Sequence, residues 1–347
     1  MKIIICSGGT GGHIFPAIAL FEAAKQKGLD ATLVTDARGD VFCENVSKKI
    51  VLDSVRFLPK SPFKTARRFL SAFWKFLKFY LKKRPDAVVG FGGIFTIAPL
   101  IAAKILGSKV VVYEQNSIVG KANKFLEKFA DLRFASFKFD EKWTKVAAPV
   151  RSEFFGKKIP YKCDGIVKIL VIGGSQGAAS FSNIIPRALE TLSAEERKNI
   201  EIIQQENHGN VEKLERVYEN LGVKATIKKF VYDAAEKMLN SQLAICRSGA
   251  STLSELSAIG RPAILIPYPN ATDNHQFWNA KYYEDKGAAW VLEEKDGIAE
   301  KLGKLIRRLL QNRELLKNAA AHMINDSADR AADNFIELIK LSRGGKK

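Results

Sequence analysis

The sequence predicts an α/β protein built from two doubly wound halves, and three observations support this prediction. Short apolar runs alternate with helical patterns along all 347 residues, as expected of parallel sheets covered by helices on both faces. That length exceeds one ordinary domain. The alternation restarts after the polar stretch at 157–165, so we expect domains at 1–158 and 159–347.

The first half begins with a strand at 2–6, which runs into the glycine-rich SGGTGGH and a helix ending near Gly28. The second half begins in the same way, with VKILVIGGSQGA at 167–178. Further elements are expected at ATLVT (31–35), DAVVGFGG (86–93), a helix at 94–106, KVVVYEQN (109–116), IEIIQQ, ATIKKF, LAICRSGA and PAILIPY. Ligands of such sheets bind beyond the carboxyl ends of the strands, so two facing edges would form a cleft.

The composition narrows the class of protein. A formal net charge of +18 implies an anionic partner: a nucleic acid, an anionic lipid surface or a phosphorylated substrate. Four cysteines without a C-x-x-C pair predict neither a disulfide framework nor a zinc site, which fits a reducing cytoplasm. The start MKIIICSGG is expected to be a strand rather than a signal peptide. No uncharged apolar stretch reaches the ~20 residues that a membrane span needs.

Three glycine-rich turns follow predicted strands, and together they predict phosphate binding. They are GGTGG (8–12), GGSQGA (173–178) and RSGAST (247–252). Glycines let main-chain N–H groups approach a ligand closely, and the helix that follows adds a partial positive charge. One such turn is also explained by tight packing, whereas three favour a ligand. Neither GGTGGH nor GGSQGA fits the dinucleotide fingerprint, which argues against a dehydrogenase.

The third turn and the helix after it suit a nucleotide sugar. Ser248 to Thr252 offer N–H groups and hydroxyls to a diphosphate. Glu255 offers a carboxylate to ribose hydroxyls, although it would also stabilise the helix N-terminus on its own. Candidates to bind the sugar follow in one short segment: His275, Gln276 and Asn279.

The sequence predicts a reaction without a metal or cofactor. The chain contains no D-x-D motif, the commonest acidic pair that holds a divalent ion on a nucleotide diphosphate. Charge on the departing group would instead be stabilised by main-chain N–H groups, a helix dipole and the guanidinium of Arg151.

Six motifs resemble, in order and context, those of the MurG family, the UDP-N-acetylglucosamine (UDP-GlcNAc) transferases of peptidoglycan synthesis. They are GGTGGH (8–13), YEQN (113–116), APVR (148–151), GGSQGA (173–178), CRSGASTLSE (246–255) and HQFWNA (275–280). The resemblance implies a GT-B fold of two Rossmann-like domains facing a cleft, with a last helix at 328–341 that packs back on the first domain. It also implies inverting transfer of GlcNAc to the MurNAc 4-hydroxyl of undecaprenyl-linked lipid I, which forms lipid II.

The resemblance implies a role for each matching residue. The first domain would bind the acceptor and the membrane, and the second would bind UDP-GlcNAc, with Phe230 and Val231 beside the uracil. The implied donor residues are Thr10, Gly11, Gly12, Arg151, Ser175, Gln176, Phe230, Val231, Ser248, Gly249, Ala250, Ser251, Thr252, Glu255, His275, Gln276 and Asn279. The implied acceptor residues are Gly8, Gly9, Gly92, Gly93, Glu114, Gln115 and Asn116.

Some residues depart from the family pattern. Tyr113 stands where histidine is frequent, Ile94 where tyrosine is frequent, and His275 where glutamine is common. We expect the first two to touch the acceptor side, so the donor is better defined than the acceptor. A related GT-B transferase acting on another lipid, and a non-catalytic nucleotide-sugar binding protein, stay open as alternatives.

His13 is the candidate catalytic base. Inverting transfer needs a group that takes the proton of the attacking hydroxyl, and a histidine, with an unperturbed pKa near ~6.5, is largely neutral at cytoplasmic pH. The glycine turn before His13 would leave room for the acceptor. A helix-capping role explains the same position without catalysis.

The segment 61–85 predicts a helix on the cytoplasmic face of the cell membrane. Between Lys60 and Arg84 there are nine basic residues and no acid, and the aromatic residues among the lysines suit a lipid interface. Nucleic acid is the competing partner, but a lipid-linked acceptor favours an anionic membrane surface. The expected core stripe is Ala66, Phe69, Leu70, Phe73, Leu77, Tyr80 and Leu81, and the expected membrane-associating residues are Phe69, Phe73, Trp74, Phe76 and Phe79.

Overall fold

The computed structural model describes residues 1–9, 11–52, 62–155, 160–174, 177–207, 209, 211–231, 233–325 and 327–342, with the side chains of 62–66 left out. The chain divides into two compact units. The first unit is Met1–Ser152 with Ser327–Lys347, and the second unit is Glu153–Asp326. The predicted positions Thr10, Ser175 and Gln176 lie outside the described residues.

The first unit contains a seven-stranded sheet in the order β3-β2-β1-β4-β5-β6-β7. Its strands are β1 Lys2–Cys6, β2 Asp30–Asp36, β3 Lys49–Leu52, β4 Ala87–Gly90, β5 Lys109–Glu114, β6 Leu132–Ala135 and β7 Thr144–Lys145. Its helices are α1 Gly11–Gln26, α2 Ala37–Asp40, α3 Pro62–Lys83, α4 Ile97–Ile105, α5 Lys121–Leu126 and, from the end of the chain, α14 Ala331–Leu341.

The second unit contains a six-stranded sheet in the order β10-β9-β8-β11-β12-β13. Its strands are β8 Val167–Ile172, β9 Ile200–Gln205, β10 Lys224–Lys228, β11 Leu243–Cys246, β12 Ala263–Leu265 and β13 Ala289–Val291. Its helices are α6 Phe181–Glu190, α7 Ala194–Lys198, α8 Val211–Asn220, α9 Ala234–Leu239, α10 Ala250–Ile259, α11 His275–Asp285, α12 Ile298–Gln311 and α13 Glu314–Met323. All strand pairs in the described residues are parallel, which confirms the predicted fold class.

Strand β1 shows why the sequence forms a sheet covered on both faces. Ile3 and Ile5 pack with α1 and α14, whereas Ile4 and Cys6 pack with α3, α4 and α5. Successive side chains of a strand point to opposite faces, so an unbroken apolar run is buried on both sides of the sheet. Several predicted elements are longer than the observed ones: the run 86–93 contains the strand Ala87–Gly90, and helix α4 begins after a 3-10 turn at Ile94–Thr96.

Helix α3 presents a different face to the core from the one predicted. Phe76 and Tyr80 are buried, whereas Leu70, Trp74 and Leu81 are 54%, 57% and 55% exposed. Leu70 and Leu81 are therefore not core residues, and the prediction that Phe76 contacts a membrane is wrong. The hydroxyl of Tyr80 bonds to Ser108 Oγ (2.5 Å) and Leu106 O (3.1 Å), which fixes the rotation of the helix and turns Phe76, one turn earlier, inward. Phe69, Phe73 and Phe79 are half-buried.

Helix α14 completes the core of the first unit. Phe335 is fully buried, and its ring lies 4.9 Å from Phe134, 5.4 Å from Tyr113 and 6.0 Å from Phe91 between ring centroids. Aromatic pairs at these separations add to the free energy of burial. The last helix is thus part of the first unit's fold, although 174 residues of the second unit, Glu153–Asp326, precede its segment.

We expect Phe335→Ala to lower the free energy of unfolding by about 3–5 kcal/mol, because a buried aromatic side chain leaves a cavity among three rings. Chemical denaturation followed by circular dichroism measures this change. The control is Phe125→Ala, since Phe125 is 43% exposed and its loss should cost about 0.5 kcal/mol or less. Equal effects of the two substitutions would contradict the assigned role of Phe335.

Candidate active site

The carboxyl ends of β1, β4 and β5 bring predicted acceptor residues together. These strands are neighbours in the sheet, and Gly92 has a φ of +83°. A Cβ placed on Gly92 would lie 3.3 Å from Cδ2 of His13 and 3.4 Å from Nδ2 of Asn123. The imidazole of His13, the glycine of the β4 turn and the amide of Asn123 therefore meet at one point of this edge.

Glu114 organises the loop after β5. This carboxylate is 2% exposed and accepts hydrogen bonds from Asn116 N (2.9 Å), Asn116 Nδ2 (3.1 Å), Gly120 N (3.0 Å) and Asn123 Nδ2 (2.8 Å). Burial raises the pKa of Glu114, against the effect of these hydrogen bonds. Glu114 thus holds the loop 116–123 in place and orients the amide that lies beside His13.

Asn123 was not predicted from the sequence. It is 2% exposed, and its amide also donates to Tyr113 O at 3.0 Å. Nothing in the local sequence marks this residue, because its role depends on the bond to the carboxylate of Glu114, nine residues earlier.

Three buried polar atoms at this edge have no hydrogen-bond partner among the described residues of the protein. In the described part of the chain, Ser7 Oγ, Gln115 Oε1 and Asn123 Oδ1 are buried and have no hydrogen-bond partner. Ser7 follows β1, Gln115 follows β5 and Asn123 lies beside His13. Buried polar groups in proteins are nearly always hydrogen-bonded, to water or ligand where protein offers nothing, so this edge is suited to a polar ligand.

Tyr113 does not touch the acceptor side, contrary to expectation. Its side chain is fully buried, its hydroxyl bonds to Ser136 Oγ (2.6 Å) and Val146 O (3.3 Å), and its ring packs on Phe91 and Phe335. Side chains alternate between the two faces of the sheet along β5, so Tyr113 points toward α14. The tyrosine that replaces the family's histidine therefore packs in the hydrophobic core. The half-buried Ile94 begins the short 3-10 turn after Gly93.

The glycine turn after β1 is held by a residue that the sequence did not single out. Asp36, at the end of β2, is fully buried and accepts from Gly9 N at 3.1 Å. Burial acts to raise the pKa of Asp36, but hydrogen bonds from Arg38, Gly9 and Gly39 outweigh it and lower the pKa. Asp36 is therefore a charged group that fixes the predicted phosphate-binding turn.

Arg151 lies in the first unit, beside the same turn. Its guanidinium is 4.6 Å from the centroid of the Phe15 ring, two residues beyond His13 on α1. This contact is a cation–π interaction, which fixes the guanidinium near the N-terminal end of α1.

In the second unit, two predicted donor segments are joined by hydrogen bonds. Ser248 Oγ donates to Gln276 O (2.7 Å), Asn279 Nδ2 donates to Ser248 O (3.2 Å), and Gln276 Oε1 accepts from Tyr268 N (3.0 Å). Asn279 is fully buried, so its amide supports the turn at Ser248 instead of presenting itself at the surface. Hydrogen bonds thus connect the turn after β11 directly to the start of α11.

Helix α10 begins at this edge without a side-chain cap. Gly249 is its N-cap residue and provides no side-chain cap, and the first turn carries no acid. The first N–H groups of a helix lack partners within it and favour an anion. Glu255 and Ser251, on the same helix, are 7% and 9% exposed.

Backbone strain lies next to His275 and Gln276. Asp273 and Asn274 have φ values of +52° and +53°, and the ring of His275 bonds through Nδ1 to Thr272 O at 2.7 Å. Left-handed backbone at residues other than glycine costs of order 1–3 kcal/mol and clusters at functional sites. The strained turn places the start of α11 beside Ser248.

Arg247 opens the predicted turn RSGAST, but the sequence analysis gave it no role of its own. It is buried and precedes the turn directly, so it fastens the end of β11 to the neighbouring segments. Its guanidinium contacts Ile266 O and Pro267 O (both 3.2 Å), Ser180 Oγ (3.1 Å), the carboxylate of Glu294 (2.6 Å) and the rings of Phe181 and Tyr268.

The remaining predicted residues lie at the same edge of the second sheet. Phe230 is half-buried and Val231 is buried, both just beyond β10. Gly174 and Gly177 have φ values of +78° and +74°, a backbone conformation that is strained for any residue with a Cβ. In the described ranges no group of three His, Cys, Asp or Glu side chains could hold a metal ion.

Two parallel sheets, each with a glycine turn at its carboxyl edge, are the architecture of the GT-B glycosyltransferases. The comparisons with known proteins agree. The N-terminal domain model of glycosyltransferase family 28 matches residues 3–134, and the C-terminal domain model matches 168–335. The chain belongs to this family and, within it, to the MurG transferases, which confirms the resemblance seen in the sequence.

Relatives and a solved structure match over nearly the whole chain. A UDP-N-acetylglucosamine–N-acetylmuramyl-(pentapeptide) pyrophosphoryl-undecaprenol N-acetylglucosamine transferase of Wolbachia pipientis is 35% identical over 98% of both chains. The protein of the same name from Rhizobium meliloti is 37% identical over 99% of this chain and 96% of its own. The crystal structure of Acinetobacter baumannii MurG is 28% identical, with a TM-score of 0.79, over 98% of this chain and 100% of its own.

We expect Glu114→Gln to loosen the loop 116–123. Glutamine keeps one acceptor oxygen and replaces the other with an NH2 group. That group would oppose donors on either side, the two of Asn116 or those of Gly120 and Asn123. Hydrogen exchange at the amides of Asn116 and Gly120 should accelerate about 10- to 100-fold, as loss of hydrogen bonds to a charged group implies. The control is Glu127→Gln, just after α5. Unchanged exchange at Asn116 and Gly120 would show that Glu114 does not hold the loop.

Proposed function

We propose that this protein transfers GlcNAc from UDP-GlcNAc to the MurNAc 4-hydroxyl of undecaprenyl-linked lipid I, which forms lipid II. The observation that carries this proposal is the match, over 98% of both chains, to a transferase named for this donor and acceptor. The two sheet edges supply what such a reaction needs: a polar edge with a histidine in the first unit and an anion-binding helix start in the second.

In the proposed reaction the acceptor hydroxyl attacks the anomeric carbon and UDP leaves with the electrons of the broken bond. His13 takes the proton of the hydroxyl through its imidazole. The amide of Asn123, held by Glu114, lies near the same ring and keeps the surroundings of the imidazole fixed. Such positioning of a base and its neighbours is a large part of general base catalysis.

On the donor side, the diphosphate meets the start of α10. The N–H groups after Gly249 and the hydroxyls of Ser251 and Thr252 stabilise the departing UDP, and Glu255 accepts from ribose hydroxyls. Arg151 adds a positive charge, so the leaving group is stabilised without a metal ion. The start of α11, with His275 and Gln276, faces the sugar.

We further propose that the first unit associates with the anionic cytoplasmic face of the cell membrane. Leu70, Trp74 and Leu81 form an exposed apolar stripe on α3, and the neighbouring Lys78 and Lys82 are exposed as well. A basic helix with an apolar stripe lies at a headgroup interface. None of the described helices is both long enough and apolar enough to cross a membrane.

A second aromatic pair supports a membrane surface. Phe125 and Phe129, at the end of α5, are 43% and 38% exposed, with ring centroids 5.4 Å apart. Three exposed lysines surround them in sequence: Lys121, Lys124 and Lys128. Because α3 and α5 pack on the same face of the first sheet, both sets of exposed aromatic and basic residues lie on one side of the unit.

We expect a triple variant, Leu70→Ser, Trp74→Ser and Leu81→Ser, to lose most binding to phosphatidylglycerol vesicles, because the exposed stripe no longer enters the interface. Vesicle co-sedimentation measures the loss. The control is Val41→Ser with Val51→Ser, which are 68% and 44% exposed on the same unit. Equal binding of the wild type to phosphatidylcholine vesicles would contradict the electrostatic part.

The activity itself is tested by release of UDP from UDP-GlcNAc with and without a lipid I analogue. We expect acceptor-dependent release that persists in EDTA, and a ~10²–10⁴-fold lower kcat for His13→Ala. His322→Ala, at an exposed histidine of α13, is the control. Donor binding without release would favour a nucleotide-sugar binding protein, and release only with another lipid would favour a related transferase. A near-normal kcat in a folded His13→Ala variant would show that His13 is not the catalytic base.

A further inference from the structure

The buried carboxylate of Asp36 joins the glycine turn to a single arginine. Its Oδ1 accepts from Gly9 N (3.1 Å), Arg38 N (3.2 Å) and Gly39 N (3.1 Å). Its Oδ2 accepts from Arg38 Nε (3.0 Å) and Nη2 (2.7 Å). Two donors on one edge of the guanidinium therefore converge on a single carboxylate oxygen, and these charge-assisted hydrogen bonds fix that edge.

The guanidinium of Arg38 lies over the glycine turn. A Cβ placed on Gly9 would be 3.7 Å from its Nη2 and 3.8 Å from its Cζ and Nη1. The side chain is 35% exposed. Within the described residues, only Nε and Nη2 of this guanidinium meet an acceptor, so the N–H donors of Nη1 stay available beside the turn.

The free edge of Arg38 is suited to an anion. A guanidinium has five N–H donors in a rigid plane, and the bond to Asp36 uses two of them. Because Asp36 already orders the side chain, little conformational entropy is lost when a further oxygen binds. Helix α1 starts two residues after Gly9, is 16 residues long and has no acid in its first turn, which adds positive potential at the same place.

We propose that Arg38 binds a phosphate of the acceptor's diphosphate, and that Asp36 is the positioning residue for Arg38 and the glycine turn. The inference rests on the proposed function. The acceptor is favoured over the donor because Gly9 belongs to the same sheet edge as His13, Gly92 and the loop held by Glu114. A diphosphate presented there would leave the attached sugar to reach the histidine.

The test compares two soluble acceptor analogues that carry the same sugar and short lipid, one linked through a diphosphate and one through a monophosphate. Wild-type protein should prefer the diphosphate acceptor in kcat/KM. Arg38→Ala should lower kcat/KM for the diphosphate acceptor about 10- to 100-fold, the range for a charge-assisted hydrogen bond. The same substitution should lower kcat/KM for the monophosphate acceptor by a smaller factor, and it should leave the KM for UDP-GlcNAc unchanged.

Two further variants separate binding from folding. Arg38→Lys keeps a cation beside Asp36 but lacks the planar fork, so its preference for the diphosphate should fall between those of wild type and Arg38→Ala. Lys27→Ala is the matched control, because Lys27 is 31% exposed and paired with Asp333 at the other end of α1. It should keep the wild-type preference. If Arg38→Ala does not fold, the ratio of kcat/KM for the diphosphate acceptor to that for the monophosphate acceptor in Arg38→Lys tests the proposal.

The outcomes are distinct. An unchanged preference in folded Arg38 variants would mean that the arginine only neutralises Asp36 and would overturn the proposal. A raised KM for UDP-GlcNAc with unchanged acceptor preference would assign Arg38 to the donor and would overturn it as well. If wild-type protein releases no UDP with either acceptor, the proposed function fails, and this inference fails with it.

Discussion

Two buried carboxylates at one edge of a parallel sheet determine the local structure of the first unit. Parallel strands end at the same edge, and the loops that follow leave main-chain N–H groups that need acceptors. Asp36 satisfies those around the first glycine turn, and Glu114 satisfies those of the loop after β5. The positions of Arg38 and Asn123 follow from these two groups.

In the second unit, a cation and neutral side chains hold the turns at the carboxyl edge in place. Arg247 donates to carbonyl groups of the neighbouring segment, while Ser248 and Asn279 connect the turn to α11. The N–H groups at the start of α10 have no side-chain cap. The first turn of α10 carries no acid, which favours an anion, whereas the carboxylates of the first unit lie buried beneath its edge.

The fold class was predictable because it depends on local sequence, and so was the position of most described candidate residues at the carboxyl edges of the sheets. Apolar runs specify strands, and glycine turns specify where a ligand approaches, so the strand order alone explains why His13 and Gly92 meet. Contacts between distant segments were not predictable. The rotation of α3 depends on Tyr80 reaching Ser108, and the inward turn of Tyr113 depends on a helix more than 200 residues later. Asn123 and Arg38 became visible only through carboxylates whose partners the sequence does not reveal.

The placement of Phe335 has a consequence for how the protein is made. A ribosome adds about 5–20 residues per second, so the 183 residues from Glu153 to Phe335 take on the order of 10–40 seconds to appear. During that time Phe91, Tyr113 and Phe134 lack the ring that covers them. The N-terminal segment thus leaves the ribosome first and acquires its finished core last, with an aromatic surface open to chaperones in the meantime.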